Sequence, residues 1–383
     1  MAQLSRDSFA FGGKLMSVED SVALIAERVA PVTGEETVGL AQADGRILAK
    51  SVSAPVDLPP FDNSAVDGYA VRHADLTPGK ETALAVAGRV AAGSQAAAAL
   101  QAQTAMRIFT GAPMPPGADT VYMQEDVRLD AHGRVALPAG LPLGANRRLA
   151  GEDVAKGAVV LSAGRRLVPQ DVALLAALGI AQVDVRRPVK AAILSTGDEI
   201  VSPGEPLRAA AIYDSNRFLI ASLLRRLGAE VADLGIVRDQ RDLVTRALVE
   251  ASADHDVILS SGGVSTGEED HVKAAVESAG SLVFWRLAIK PGRPVAMGVV
   301  NGKPFVGLPG NPVAVFVTFA HLVRPLIARL GGGEVERVRA VPVRAAFAYK
   351  KKEGRREYVR VSLAGAADGV LEAHKHPREG AGV

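Results

Sequence analysis

The sequence predicts a multidomain protein of the α/β plus β class, on three observations. Its 383 residues exceed the roughly 100–200 of an ordinary single domain. Across 189–330, strand-like apolar runs alternate with amphipathic stretches, the pattern of a parallel sheet covered by helices. Ahead of that, from Pro55 to about Arg148, short apolar runs alternate with Gly/Pro turns, the pattern of a small β-rich domain.

Taken in order, Ser17 and Asp20 form a capping signal, and Val22, Ile25, Ala26 and Val29 repeat at helical spacing until Pro31 stops the helix. Ala41 to Ala54 reads as a short helix followed by a strand. Strand runs follow at Leu84-Ala85-Val86, 106–109 and 120–123, and the alanine-rich 95–103 reads as a short helix or loop. The later region offers strands at 189–194, 231–237, 256–260 and 281–289 and helices at 216–228, 240–253 and 269–279. Asn301-Gly302 between 295–300 and 303–308 is a hairpin signal. Asn311-Pro312 caps a last helix to Leu330, kinked at Pro325, and Gly331-Gly332-Gly333 reads as a linker. Residues 335–373 read as β, with a basic patch at Lys350-Lys351-Lys352 and Arg355-Arg356.

Composition narrows the class further. With 48% hydrophobic and 22% charged residues the chain can bury substantial cores. A formal charge of +2, from 44 basic and 42 acidic residues, gives no case for nucleic acid. The lack of cysteine excludes disulfides, thiolate metal sites and thiol nucleophiles. Met1 to Met16 carries Arg6, Asp7 and Lys14 without an apolar core, so it is not read as a signal peptide, and no run reaches the roughly 20 apolar residues of a membrane span. A soluble, cytoplasmic protein without membrane partners is expected.

The chemistry converges on one edge. In an open α/β sheet, ligands bind beyond the carboxyl ends of the strands. Ser195-Thr196-Gly197-Asp198-Glu199, Arg238-Asp239, Ser260 to Asp270, and Lys290-Pro291-Gly292-Arg293-Pro294 all follow predicted strands. The hairpin turns at the far end, so its second strand returns Gly307-Leu308-Pro309-Gly310-Asn311-Pro312 to the same rim. In the loop 260–270, glycines allow close backbone approach, hydroxyls and N–H groups suit an anion, and the acidic end suits a divalent cation. Ser195, Gly197, Ser261, Gly262, Gly263, Ser265, Pro309 and Asn311 are therefore candidate ligand-binding residues. Asp198, Glu199, Asp239, Glu269 and Asp270 suit a hard cation such as Mg²⁺, and Lys290, Arg293 and Arg286 suit an oxoanion. An aspartate ahead of a helix, as at Asp214 or Asp270, is equally well read as an N-cap.

Other chemistries find little support. No G-x-G-x-x-G follows a strand, and there is no Walker sequence or G-x-S-x-G elbow. His255 and His271 lack the partners of a metal site, and Trp285 reads as packing. Two further clusters, 59–70 and 109–119, are rich in Pro, Asp and Gly, and composition alone does not link them to the rim.

The motifs PPFDNSAVDGYAVR at 59–72, FTGAPMPPGAD at 109–119, GED at 151–153, STGDE at 195–199, SSGGVSTGEED at 260–270, LAIKPGRP at 287–294 and GLPGNP at 307–312 occur in one order. Together they resemble the molybdopterin molybdenumtransferases, the MoeA family, which includes the gephyrin E domain. The resemblance implies a homodimer of four-domain subunits. A discontinuous elongated domain would take 15–58 and 149–188, a β-rich domain 59–148, a molybdopterin-binding α/β domain 189–330, and a C-terminal β-barrel 334–383, the last expected to be incomplete, with an open edge.

The implied reaction inserts molybdenum from molybdate into adenylylated molybdopterin with Mg²⁺ and releases AMP, in a site between two subunits. Asp67, Thr110, Asp153, Glu199, Asp239 and Asp270 match the family's functional polar positions, with Glu199, Asp239 and Asp270 on the metal side. Ser265, Lys290 and Arg293 match its oxoanion contacts. Arg286 and Arg293 stand where lysine is common, and Ala381 where some members carry serine. A molybdopterin adenylyltransferase is the implied donor of the substrate. Two other readings stay open: a scaffold of the gephyrin E type, and an adenylyltransferase, which would lack 59–148 and the tail.

Overall fold

A computed structural model describes residues 15–94, 98–264, 271–335, 338 and 340–378, with the backbone alone at 284 and 285. The chain forms two compact units. Met1–Lys50, Ala163–Val168 and Gln182–Val383 make the larger, and Ser51–Ser162 with Pro169–Ala181 the smaller.

The smaller unit is built on a six-stranded sheet. In spatial order its strands are Thr120–Met123, Gly68–Val71, Thr104–Ile108, Thr82–Val90, Arg134–Leu137 and Arg128–Leu129. Neighbours run antiparallel, except that Thr82–Val90 and Thr104–Ile108 are parallel. Alternation along these strands sends Ala70, Met106 and Ile108 into one core and Tyr69, Val71 and Ala105 into another, so both faces are covered. The runs 84–86 and 120–123 lie within these elements and 106–109 overlaps Thr104–Ile108 but for Phe109; of the expected short helix or loop at 95–103, residues 95–97 lie outside the described residues and 98–103 has no regular structure.

In the larger unit a six-stranded sheet runs Glu230–Val237, Lys190–Thr196, Val257–Ser261, Lys303–Leu308, Pro294–Val300, Gly280–Arg286. The alternating pattern suggested a parallel sheet with a hairpin at Asn301-Gly302, and Pro294–Val300 is indeed antiparallel to Lys303–Leu308 and also to its other neighbour, Gly280–Arg286. The reason is local: a two-residue turn can join only antiparallel strands, and Asn301 and Gly302 both adopt the positive φ that such a turn needs, 47° and 79°. The other five strands point the same way, so their carboxyl ends share one edge.

Helices cover both faces. Val18–Arg28, Asn216–Arg226 and Pro312–Leu330 bury Ile25, Ile220, Leu224, Val315 and Leu326 with Ile193 and Val306 on one side. Arg241–Asp254 and His271–Ala279 bury Val244, Leu248, Val272 and Val276 with Leu194 and Phe305 on the other. Ser17 caps the first helix, its hydroxyl accepting from the Asp20 N–H at 2.9 Å, and Ile25 and Val29 face the core as expected while Ala26 is exposed. Pro325 has no N–H to give to the preceding turn, and the ladder widens to a π-helical turn over Phe319–Val323. By length and apolarity the 19 residues Pro312–Leu330 would suit a bilayer, yet most of that helix is buried in the protein.

Two expected features differ in detail. Gly331 and Gly333 are not a free linker: both are buried, and a Cβ on either would meet Ile47 Cδ1 at 3.2 or 3.0 Å. Beyond them, Arg344–Ala345, Leu371–Lys375 and Val361–Gly365 form a three-stranded sheet, and Arg356–Glu357 pairs in parallel with Ile289–Lys290.

Candidate active site

The rim of the larger sheet is shaped by two glycines at which a side chain would meet close neighbours. A Cβ on Gly262 would lie 2.3 Å from the Thr196 carbonyl oxygen, and one on Gly263 would lie 2.7 Å from Thr196 Oγ1 and 2.3 Å from Val272 Cγ2. Both have left-handed φ, 86° and 65°. The Gly262 N–H also donates to the Leu308 carbonyl at 3.1 Å, so the ends of three adjacent strands are drawn together.

Polar groups are buried at this closure. Ser195 Oγ, Thr196 Oγ1 and Ser260 Oγ have no hydrogen-bond partner among the described residues, and each residue is at most 3% exposed. Buried hydroxyls are normally satisfied, so three orphans on two neighbouring strand ends fit a site that completes its hydrogen bonds with a ligand. A fourth orphan, Asn216 Oδ1, lies at the start of the Asn216–Arg226 helix, whose Nδ2 partner is the Gly310 carbonyl at 2.8 Å. Arg217 anchors that same turn, donating to Asp214 at 3.0 Å and to both oxygens of Asp233 at 2.6 and 2.7 Å.

Thr196, Ser260 and Asn216 were not singled out in the sequence as ligand-binding positions. A signal was available: Ser-Thr and Ser-Ser closing apolar strands place hydroxyls on both faces of the sheet at its ligand-binding edge.

Acidic candidates occupy the same edge. Glu199 is exposed and folds back over Gly197, its Oε2 lying 2.6 Å from where a Cβ on that glycine would stand. Asp239 is half-buried just beyond Glu230–Val237. Ser265 and Asp270 fall outside the described residues. Among the described residues no group of three or more His, Asp or Glu side chains is arranged to hold a metal. Glu199 and Asp239 nonetheless supply two hard carboxylates, a donor set that suits Mg²⁺, which takes one or two carboxylates with water and substrate phosphates.

Pro309 is buried, and Asn311 is partly committed to structure. The Asn311 side-chain oxygen caps the Pro312–Thr318 helix, accepting from Val313 and Ala314 N–H at 2.9 and 3.1 Å, which leaves its amide NH₂ toward solvent. Lys290 and Arg293 are both exposed on a loop tied by Leu287 N–H to the Arg293 carbonyl and by Tyr358 N–H to the Lys290 carbonyl.

Lys290 and Asn311 line a cleft of about 180 Å³ that is also lined by Lys375, at the end of a C-terminal strand, and by Arg360, His376 and Arg378 just outside the strands of that sheet. Arg293 is not part of it. The sequence pointed to Lys290, Arg293 and Arg286 for an oxoanion and gave no role to the C-terminal side of this cleft. The cleft depends on the long-range pairing of Ile289–Lys290 with Arg356–Glu357, which local patterns do not encode.

In the smaller unit, Asp67 and Thr110 meet directly. Asp67 Oδ1 accepts from both the backbone N–H and the hydroxyl of Thr110, each at 2.8 Å. These two bonds, with the nearby Arg107 charge, hold the Asp67 carboxyl below the usual carboxylate range. Asp153 is exposed and ion-paired with Arg148 at 2.5 Å, which also bonds Glu152; these bonds raise the Arg148 pKa.

The fold agrees with comparisons to known proteins. Residues 16–179 match the family model of the MoeA N-terminal region, domains I and II, and 192–329 match a probable molybdopterin binding domain. A molybdopterin molybdenumtransferase of Haemophilus influenzae is 43% identical over 318 residues, 83% of this chain and 78% of its own. One from Nostoc is 39% identical over 82% of this chain and 74% of its own. The crystal structure of the molybdopterin biosynthesis MoeA protein of Pyrococcus horikoshii OT3 superposes with a TM-score of 0.80 at 30% identity, over 96% of this chain and 92% of that one. From its motifs, its fold and these relatives, the chain belongs to the MoeA family of molybdopterin molybdenumtransferases, enzymes of molybdenum cofactor biosynthesis.

Proposed function

We propose that the chain inserts molybdenum from molybdate into adenylylated molybdopterin and releases AMP, with Mg²⁺ as cofactor and a homodimer as the working unit. The observation that carries this reading is the sheet rim, where Ser195, Thr196 and Ser260 hydroxyls lie buried without partners among the described residues beside the Gly262-Gly263 turn. Such a rim suits a phosphorylated heterocycle, which brings acceptors to the hydroxyls and backbone N–H groups.

In the reaction two Mo–S bonds form as two oxo ligands leave as water, taking two protons from the thiols and two from solvent, and a water molecule hydrolyses the phosphoanhydride to free AMP. Bound Mg²⁺ would offset phosphate charge and polarise that anhydride. Glu199 and Asp239, with Asp270, would hold it. The cationic cleft of Lys290, Arg360, Lys375 and Arg378 would receive the molybdate oxoanion through charge-assisted hydrogen bonds. Asp67, kept ionised by Thr110, would orient a reactant or water from a neighbouring subunit. The three-stranded sheet from Arg344 to Lys375 is read as part of the fourth, barrel-type domain, and a molybdopterin adenylyltransferase as the supplier of the substrate.

The test is incubation of the purified protein with adenylylated molybdopterin, Mg²⁺ and molybdate. Molybdate-dependent AMP release with formation of molybdenum cofactor supports the reading. Binding of the substrate without release, in the presence of both ions, overturns it.

A further inference from the structure

We propose that Arg107 is a positioning residue for Asp67, bracing the two successive carbonyls of Asp67 and Gly68 so that the carboxylate meets the reactants in a fixed orientation. The inference rests on the reading of Asp67 as a group that touches the reactants.

Arg107 lies on the Thr104–Ile108 strand, directly across from Tyr69. Its Nη1 donates to the Gly68 carbonyl at 3.3 Å, one peptide beyond the carbonyl of Asp67. Its Nη2 donates to the side-chain oxygen of Gln124, and the Gln124 backbone N–H donates to the Asp67 carbonyl at 3.0 Å. One guanidinium thus reaches the main chain after Asp67 directly and that of Asp67 through one intermediary.

The guanidinium is itself held. Its Cζ sits 5.0 Å from the Tyr69 ring centroid and 4.9 Å from that of Phe109, while Arg89 covers Phe109 at 4.6 Å. Phe109 precedes Thr110, the residue whose N–H and hydroxyl grip Asp67 Oδ1, so the Arg107 stack also fixes the approach of that partner. Gly68 leaves the backbone no slack, because a Cβ there would lie 1.8 Å from the Tyr122 carbonyl oxygen. A planar fork with two donors and two stacking faces fits this place, and a lysine ammonium supplies neither the fork nor the faces.

The competing account is that Arg107 merely covers two aromatic rings. A double-variant comparison separates the two, because a residue that acts through Asp67 loses its effect once Asp67 is disabled. Asp67→Asn, Arg107→Met, Arg107→Lys and the combination of Asp67→Asn with Arg107→Met would be assayed as full-length protein for molybdate-dependent AMP release, each with its melting temperature. The expected result is a kcat about ten- to a hundred-fold lower in Arg107→Met with KM little changed, and little recovery in Arg107→Lys. The double variant should be no slower than Asp67→Asn alone.

If Arg107→Met does not fold, Gln124→Leu, which removes only the outer link, carries the same comparison. Losses that multiply in the double variant, or an unimpaired Arg107→Met enzyme beside an impaired Asp67→Asn enzyme, overturn this inference alone. An Asp67→Asn enzyme with wild-type turnover overturns it together with the reading of Asp67.

Discussion

Thr196 and Gly262 hold two neighbouring strand ends in contact at a separation that only glycine allows: a Cβ on residue 262 would stand 2.3 Å from the Thr196 carbonyl oxygen. The obstacle is backbone, which cannot swing aside as a side chain would. The φ of 86° adds strain for any L-residue. Gly262→Ala should therefore destabilise the protein by at least about 1–3 kcal/mol and open the rim. Urea unfolding checks the first effect. Loss of AMP release by the fraction that remains folded checks the second.

The orphaned hydroxyls give the opposite expectation. Thr196→Val and Ser260→Ala remove a buried donor that nothing among the described residues satisfies. Stability of the free protein should hold or rise, since an unpaired buried hydroxyl carries a desolvation cost of about 1–3 kcal/mol. Affinity for the adenylylated substrate should fall about five- to twenty-fold, by calorimetric titration. Destabilised variants with unchanged affinity would assign the hydroxyls to the fold instead.

Thr110 controls the charge of Asp67. Its N–H and hydroxyl both bond the ionised form and lower the carboxyl pKa, so Asp67 stays charged to lower pH than an ordinary aspartate. Thr110→Val keeps the N–H bond and loses the other. The Asp67 pKa then rises, and the acid limb of the turnover profile should move to higher pH. An unmoved limb would mean that another group sets it.

The cationic cleft predicts a selective effect on the oxoanion. Lys290→Met or Arg378→Glu should raise the KM for molybdate about ten-fold or more, the worth of one hydrogen bond to a charged group. The wild-type KM should also climb with ionic strength more steeply than that of either variant. Equal salt responses would place molybdate elsewhere.

What could be read in the sequence was local or directional. Asn301-Gly302 dictated a hairpin because two consecutive positive φ values favour those residues, and the strand ends located the rim because parallel strands share a direction. Gly262 and Gly263 stood out for the same reason that they pack as they do. The cleft wall was hidden. Arg360, Lys375 and Arg378 carry no motif, and they reach Lys290 only through the register of Ile289–Lys290 with Arg356–Glu357, a pairing set by tertiary packing. Asn311 was legible as a helix cap, because an N-cap is set by residues adjacent in the chain.

That same pairing is sensitive to acid. Glu357 accepts from the Tyr349 hydroxyl and from Arg355 Nε at 2.7 Å, and these bonds lower its carboxyl pKa from 4.5 to about 2. A carboxyl whose pKa is depressed on folding stabilises the folded state fully above its unfolded pKa. It loses that contribution as pH falls through the folded value. The window here runs from about pH 4.5 down to about pH 2. Glu357→Gln should therefore melt below the wild type at neutral pH, with a gap that closes across that window. Because Tyr349 lines the cleft and Lys290 is held by the Arg356–Glu357 strand, the variant should also bind molybdate more weakly at neutral pH. Melting curves of the two proteins between pH 7 and pH 2 decide it: a gap that stays constant would trace the loss to packing, and a closing gap traces it to the ionised Glu357.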